Sequence, residues 1–179
     1  MKITYQLTEE HLLNQQLYAV SNTESVKKKR LRSRFIIPVL YIVIGLYFYF
    51  DGSGPLFPAG FVLLGLLWLV FYPIYSRWLY KRHFRKYVRE KLSDLANQDI
   101  ELEFTPEEIR AEDKSGSSQL KYEAVSEFVE LKDQFVLRIN QNSSSIGIPK
   151  EAVAEPAEFI RFIESQGITY SNQQDWEFK

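Results

Sequence analysis

Few side chains in this sequence have the type and spacing that a catalytic or metal site requires. His11 and His83 stand alone in stretches with helical spacing, so neither has a neighbour that would make it a general base or a metal ligand. Asp99, Glu101 and Glu103 share one face of an alternating stretch and could hold a hard cation. The same alternation is typical of a solvated strand face, which is the interpretation we prefer.

The sequence also lacks the motifs through which common enzyme classes bind phosphate or zinc or attack an acyl group. It contains no glycine-rich phosphate loop, no HExxH, no GxSxG and no Cys. We therefore predict no catalytic residue, no cofactor, no metal and no enzyme activity. A deep polar pocket with converging ionisable groups would overturn that prediction.

The cations have the most informative distribution. Six of them lie in the nine residues Val26–Arg34, and no Lys or Arg follows until Arg77, in a chain whose net charge is -1. Basic segments beside apolar spans stay on the cytoplasmic side of a membrane and attract anionic lipid. We predict topology and anionic-lipid-facing roles for Lys27, Lys28, Lys29, Arg30, Arg32, Arg34, Arg77, Lys81, Arg82, Arg85 and Lys86. Whether the flanks recognise a specific lipid stays open, and no nucleic-acid partner is expected because the basic residues stop at the apolar runs.

Two apolar runs lie between these basic flanks. Phe35–Phe50 has 16 residues and Phe57–Tyr75 has 19, about 24 Å and 28 Å as helices. The turn-forming stretch Asp51–Pro55 joins them. A bilayer core is about 30 Å thick, so we predict a two-span hairpin in the cell (inner) membrane with both termini cytoplasmic. The alternative, a buried hairpin of a soluble protein, fits the lack of charge less well.

Small residues within the spans let helix backbones approach each other. We therefore predict helix-packing roles for Gly45, Gly60 and Gly65, within the hairpin or in a homo-oligomer.

The second half of the chain has the patterns of a small β domain. Strands are predicted at Asp99–Phe104, Gln119–Tyr122, Glu127–Leu131, Phe135–Ile139 and Ser144–Ile148. Thr105–Glu108 is interpreted as a turn rather than a helix start, because Ile109–Glu112 is too short for a helix. A helix over Glu155–Gln166 follows, and Lys2–Leu7 supplies a possible further strand. Residues 99–179 carry 8 Lys and Arg against 17 Asp and Glu, whereas residues 1–98 carry 14 against 6.

The predicted organisation has five parts. They are residues 1–34, an N-terminal strand and helix with a basic linker; 35–76, the transmembrane hairpin; 77–98, a basic amphipathic helix; 99–170, the cytoplasmic β domain; and 171–179, a polar tail. The fold class is an α+β membrane protein whose small antiparallel β domain is capped by a C-terminal helix.

This order resembles the YcxB-like family. The resemblance rests on the N-terminal KITYQLTEEH, the basic segment, the hairpin, and the tract LEFTPEEI…LKYEAVSEFVELKDQFVLRI…IGIPKEAV, which includes Ile148-Pro149-Lys150. It extends over nearly the whole chain to about Tyr170. The resemblance implies a pleckstrin-homology-like C-terminal domain and carries no activity over to this chain.

These observations favour a membrane-anchored, non-catalytic binding or regulatory module with an unidentified protein partner. The alternative is a structural or accessory membrane subunit that acts through its hairpin. Headgroup phosphates need clustered cations, which the acidic β domain lacks. We expect that domain to pack near the basic helix Arg77–Lys91, or to present an acidic or strand-edge surface to a partner.

Overall fold

The computed structural model describes residues 1–52, 54–114, 116–139 and 145–178. The chain divides into two compact units. The β unit is Met1–Ala19 with His83–Glu177, and the hairpin unit is Val20–Arg82 with Phe178. In chain order the helices and strands are β1 (Lys2–Gln6), α1 (Glu9–Ser21), α2 (Glu24–Phe50), α3 (Leu56–Lys91), β2 (Asp99–Phe104), β3 (Glu108–Asp113), β4 (Gly116–Lys121), β5 (Val125–Glu130), β6 (Gln134–Ile139), β7 (Ser145–Pro149), α4 (Pro156–Ser165) and β8 (Tyr170–Asn172).

The strands of the β unit form two four-stranded sheets. Sheet 1 has the order β1-β2-β3-β4 and is antiparallel, with Ile3 opposite Leu102 and Phe104 opposite Ile109 on its buried face. Because successive side chains of a strand point to opposite faces, the charged residues between these positions lie on the other face of the sheet. Sheet 2 has the order β7-β6-β5-β8, in which β8 pairs with β5 in parallel.

Aromatic side chains form the centre of the core between the two sheets. Phe159 of α4 lies with its ring centroid 5.2 Å from Phe104 of sheet 1, 5.3 Å from Phe128 and 5.7 Å from Phe135 of sheet 2. All four rings are almost fully buried. Pro156 begins α4 at a position where a missing N–H costs nothing. Phe159 of α4 therefore contacts both sheets.

Helix α1 covers the opposite face of sheet 2. Tyr18 packs in a buried cluster with Val129, Leu131 and Val136, and Trp176 contacts the same cluster. The Tyr18 and Trp176 rings meet edge to face at 5.1 Å. Because β1 completes sheet 1 and α1 covers sheet 2, the N-terminal segment is an integral part of the β unit.

The structure confirms the α+β class, with two long apolar helices followed by sheets and a C-terminal helix. The N-terminal strand is confirmed as β1, and the closing helix as α4. The predicted strand at Ser144–Ile148 is observed from Ser145; Ser144 lies outside the described residues.

Four features differ from the prediction. The basic linker within 1–34 is helical, because α2 begins at Glu24. The basic helix predicted over 77–98 ends at Lys91. The polar tail 171–179 begins inside β8, whose pairing with β5 also makes sheet 2 only partly antiparallel. The stretch around Ile109 is a full strand, because it pairs on both sides, with β2 and with β4.

Candidate functional site

The hairpin unit presents apolar surface along most of its length. Helices α2 and α3, with 27 and 36 residues, are both long and apolar enough to cross a membrane. Only 11% of the most apolar window of α2 and 6% of that of α3 is buried. The side chains of Phe50 and Leu56 are 81% and 85% exposed.

Two of the three predicted packing glycines lie where the helices of the hairpin meet. A Cβ added to Gly45 would lie 3.4 Å from the Phe61 Cβ and from the Pro58 carbonyl oxygen. At Gly65 it would lie 3.6 Å from the Pro38 Cα. At Gly60 it would have no heavy atom of the described chain within 4 Å. Gly45 and Gly65 therefore permit close approach within one hairpin, whereas Gly60 does not contribute to that packing.

Arg30, predicted to face lipid, lies beside two aromatic rings of the hairpin unit, Tyr80 and Phe178, whose centroids are 5.8 Å apart. Its guanidinium carbon is 5.5 Å from the Tyr80 ring centroid and 5.0 Å from that of Phe178. Its Nε donates a hydrogen bond of 3.2 Å to the Oγ of Ser76, which is buried. Such cation–π contacts stabilise by about 0.5–2 kcal/mol each. Arg30 therefore connects α2 to α3, a contact that the prediction from sequence did not include.

The other predicted cations of the hairpin unit are mostly exposed. Lys27 pairs with Glu24 at 3.3 Å, and Arg82 lies 5.2 Å from the Trp78 ring. Arg34 donates a long hydrogen bond of 3.5 Å to the Leu69 carbonyl oxygen. The exposed members of the set are Lys27, Lys28, Lys29, Arg32, Arg34 and Arg82, and the partly exposed members are Arg77 and Lys81. These side chains are accessible to a charged surface.

The last part of α3 belongs to the β unit and packs beside α1. Arg89 Nε lies 3.1 Å from the Glu9 carboxylate, and Val88 is buried. A groove of about 270 Å³ runs between these helices, with Leu13 and Arg85 also in its lining. We expected acidic residues of the β domain to lie near this basic helix. The acid that pairs with Arg89 is instead Glu9, which belongs to α1 and not to either sheet.

A polar cluster of the β unit is centred on Glu130, which is 8% exposed. Lys150 Nζ lies 2.6 Å from its Oε1, and Gln174 Nε2 donates to the same oxygen at 2.9 Å. The Tyr170 hydroxyl donates to Oε2. Lys150 also lies 5.7 Å from the Phe135 ring. The cluster therefore joins β5 to the residue after β7, to β8 and to the C-terminal segment.

The cluster changes the acidity of its members. Burial opposes ionisation of Glu130, but the hydrogen bonds from Lys150 and Tyr170 and the charge of Lys150 outweigh burial and lower its pKa. Burial first, and then the hydrogen bond to Glu130, raises the pKa of Tyr170 to about 12. Both shifts favour a carboxylate and a neutral phenol, so the cluster is a stabilising ion pair rather than a proton donor near neutral pH.

A second polar cluster lies where α1 meets sheet 2. Gln15 Nε2 donates to the carbonyl oxygen and the hydroxyl of Ser145, and Gln134 Nε2 donates 3.1 Å to the His11 carbonyl oxygen. The Oε1 atoms of both glutamines are buried without a hydrogen-bond donor among the described residues. A Cβ added to Gly147 would lie 3.0 Å and 3.2 Å from these two oxygens. The glycine therefore makes room for the two amides.

Sequence reasoning missed most of these residues. Glu130 reads as one member of a strand, and its partners come from distant parts of the chain. Trp176 and Phe178 are aromatic residues in an otherwise polar tail, which was the signal available for them. The described residues contain no group of three or more His, Asp or Glu placed to hold a metal ion.

Comparison with known families connects part of this architecture to one of them. Residues 104–163 match the family model described as YcxB-like protein. The C-terminal region contains a YcxB-like domain. The matched residues begin at the end of β2 and stop within α4, so the YcxB-like domain includes Glu130 and Lys150. β1, α1 and β8, which complete its sheets or cover them, lie outside the match. Neither the curated proteins nor the solved structures gave a match to the chain.

Proposed function

We propose that this protein is a membrane-anchored, non-catalytic binding or regulatory module whose β unit lies on the cytoplasmic face of the inner membrane. The observation that carries the proposal is the contrast between the units. The β unit buries most of its large apolar side chains, whereas the apolar parts of α2 and α3 expose most of theirs. A core helix of a soluble protein would be mostly buried, so a lipid environment accounts for that exposed surface better.

The distribution of charge supports the orientation. Exposed cations occur before the apolar part of α2 and after that of α3, and the sequence between the two helices has none. Cytoplasmic loops carry an excess of Lys and Arg. In this proposal both termini and the β unit are therefore cytoplasmic, and the turn after Phe50 lies outside.

The order of the elements supports a pleckstrin-homology-like fold for the β unit. Four antiparallel strands (β1–β4) are followed by three more (β5–β7) and then by a helix that packs between the sheets. Of these, β1 comes from before the hairpin. The hairpin is thus an insertion between the first and second strands of the domain.

A binding role fits the β unit better than a catalytic role. The carboxylate with the strongest internal contacts, Glu130, is occupied by Lys150, Tyr170 and Gln174.

Photo-crosslinking in intact cells tests the proposal against a hairpin-driven role. A photoreactive residue is placed at Gln119 or Glu158, which are exposed in the β unit, or at Val62, which is exposed on α3. We expect the same heteromeric partner to be captured from the β unit. Capture from Val62 alone, or self-crosslinks alone, would favour a structural or accessory subunit acting through the hairpin, and would overturn the proposal.

A further inference from the structure

Strand β4 has one edge that no described strand covers. It is the last strand of sheet 1, and among the described strands it pairs only with β3. Five of its six residues are exposed, and only Leu120 is half-buried. An uncovered edge presents backbone N–H and C=O groups to which another extended chain can pair.

The sequence of β4 does little to protect this edge. Gly116–Lys121 contains no proline, its pairing with β3 has no bulge, and its one charged residue, Lys121, is at the end. Proteins usually protect sheet edges with proline, with bulges, with charged side chains or with very short strands. The edge of sheet 2 formed by β8 has only three residues. β4 is therefore the more favourable of these two edges for adding a strand.

The outer face of sheet 1 presents acidic side chains beside the first residues of that edge, whereas Arg110 and Lys121 lie on the same face toward its other end. Ser117 of β4 is opposite Glu112 of β3, which is in turn opposite Glu101 of β2. Like charges directly opposite each other are unfavourable, and Glu101 is paired with Lys2. Neighbouring strands are about 4.8 Å apart, so a long cationic side chain on an added strand would reach across the short Ser117 to Glu112. The outer face thus favours Lys or Arg at that position.

A recess of about 190 Å³ lies at the same place. Its lining includes the apolar residues Ile100 and Ala111, together with Ser118 and the polar residues Glu112, Asp113 and Ser117. Ser118 is opposite Ala111. Ser118 is exposed although it lies on the side of the sheet that is buried further along at Leu102. The residue of an added strand next to Ser118 would point into this recess, so a small apolar side chain such as Val fits there.

We infer that the edge of β4 binds an extended segment of a partner protein in which polar and apolar residues alternate, with a Lys or Arg near Glu112 and an apolar residue near Ala111. Backbone hydrogen bonds to β4 supply the affinity, and the alternation supplies the selectivity. The inference rests on the proposed function, because it names the surface through which the module takes its partner.

The test uses the full chain in lipid nanodiscs and three labelled hexapeptides, Lys-Val-Lys-Val-Lys-Val, its Glu-Val counterpart, and Lys-Lys-Lys-Val-Val-Val. Fluorescence anisotropy measures the affinity, and amide hydrogen exchange locates the bound peptide. We expect the alternating Lys-Val peptide to bind most tightly and to slow exchange in β4. Glu112→Lys should weaken its binding about tenfold, whereas Glu158→Lys, an equal charge change on exposed α4, should alter it less than twofold.

Several outcomes would overturn the inference. Equal binding of the two Lys-containing peptides would show that charge alone matters, and equal effects of Glu112→Lys and Glu158→Lys would show that β4 is not the site. Protection outside β4 would contradict it as well. The crosslinking experiment separates this failure from that of the proposed function. A partner that is captured from Glu158 but not from Gln119 would support the proposed binding module and contradict binding at the edge of β4.

Discussion

Replacing Glu130 with Gln tests whether the polar cluster of the YcxB-like domain stabilises the β unit. The substitution keeps the size of the side chain but removes the charge that Lys150 meets at 2.6 Å. A hydrogen bond to a charged group contributes about 1.5–3 kcal/mol, and an unpaired buried partner costs more. The Lys150 side chain is 23% exposed and can partly reach water. We therefore expect a loss of about 2–3 kcal/mol in the free energy of unfolding.

Thermal and denaturant unfolding of the purified full chain measures this loss. A change of this size lowers Tm by about 5–10 °C for a chain of this length. Because the pKa of Glu130 is lowered from its ordinary 4.5, its contribution is present above that pH and disappears as pH falls through the lower folded value. The difference between wild type and Glu130→Gln should therefore shrink below about pH 4.5.

The matched control is Glu158→Gln, which removes an exposed charge from α4 and should change stability by less than about 0.5 kcal/mol. A double-mutant cycle with Lys150→Met should give a favourable coupling energy of at least about 1 kcal/mol. An effect of Glu130→Gln no larger than that of the control, or one that does not change with pH, would refute the assignment of Glu130 as a stabilising ion pair.

Four further substitutions test other contacts. Gly147→Ala should destabilise by about 1–3 kcal/mol in denaturant unfolding, since its Cβ would press on Gln15, and an unchanged midpoint would contradict that packing. Gly45→Leu should disrupt packing of the hairpin and Gly60→Leu should not, as measured by protease resistance in nanodiscs; equal effects would contradict the assigned contacts. Tyr5→Phe should be neutral or stabilising by up to about 1 kcal/mol, because the Tyr5 hydroxyl is buried without a partner among the described residues; clear destabilisation would reveal one.

Local patterns were sufficient to predict most elements of this chain. The uncharged runs from Phe35 and Phe57 predict helices because their length and apolar composition are typical of membrane spans. The alternation at Asp99–Phe104 predicts a strand with one buried face. The helix over α4 follows from Pro156 at its start, Gly167 after its end and apolar spacing between them.

Other features depend on contacts between residues far apart in sequence, which periodicity does not reveal. β8 has only three residues and is held by parallel pairing with β5. α2 begins earlier than the apolar run because Lys and Arg are good helix formers, so the basic segment continues the helix. Arg30 reads as one of six similar cations, and only the packing of Tyr80 and Phe178 distinguishes it. The same limit applies to Glu130 and its partners.

Cysteine accessibility in intact cells tests most directly the claim that the hairpin anchors a cytoplasmic module. The chain has no Cys, so single replacements at Gly52 between the helices, at Ser118 in β4 and at Ser126 in β5 can be compared without background. A membrane-impermeant maleimide should label only Gly52→Cys in cells whose inner membrane is intact, and all three after lysis. Labelling of Ser118→Cys or Ser126→Cys before lysis, or protection of Gly52→Cys, would contradict the orientation, and recovery of the protein in the soluble fraction would contradict the anchor itself.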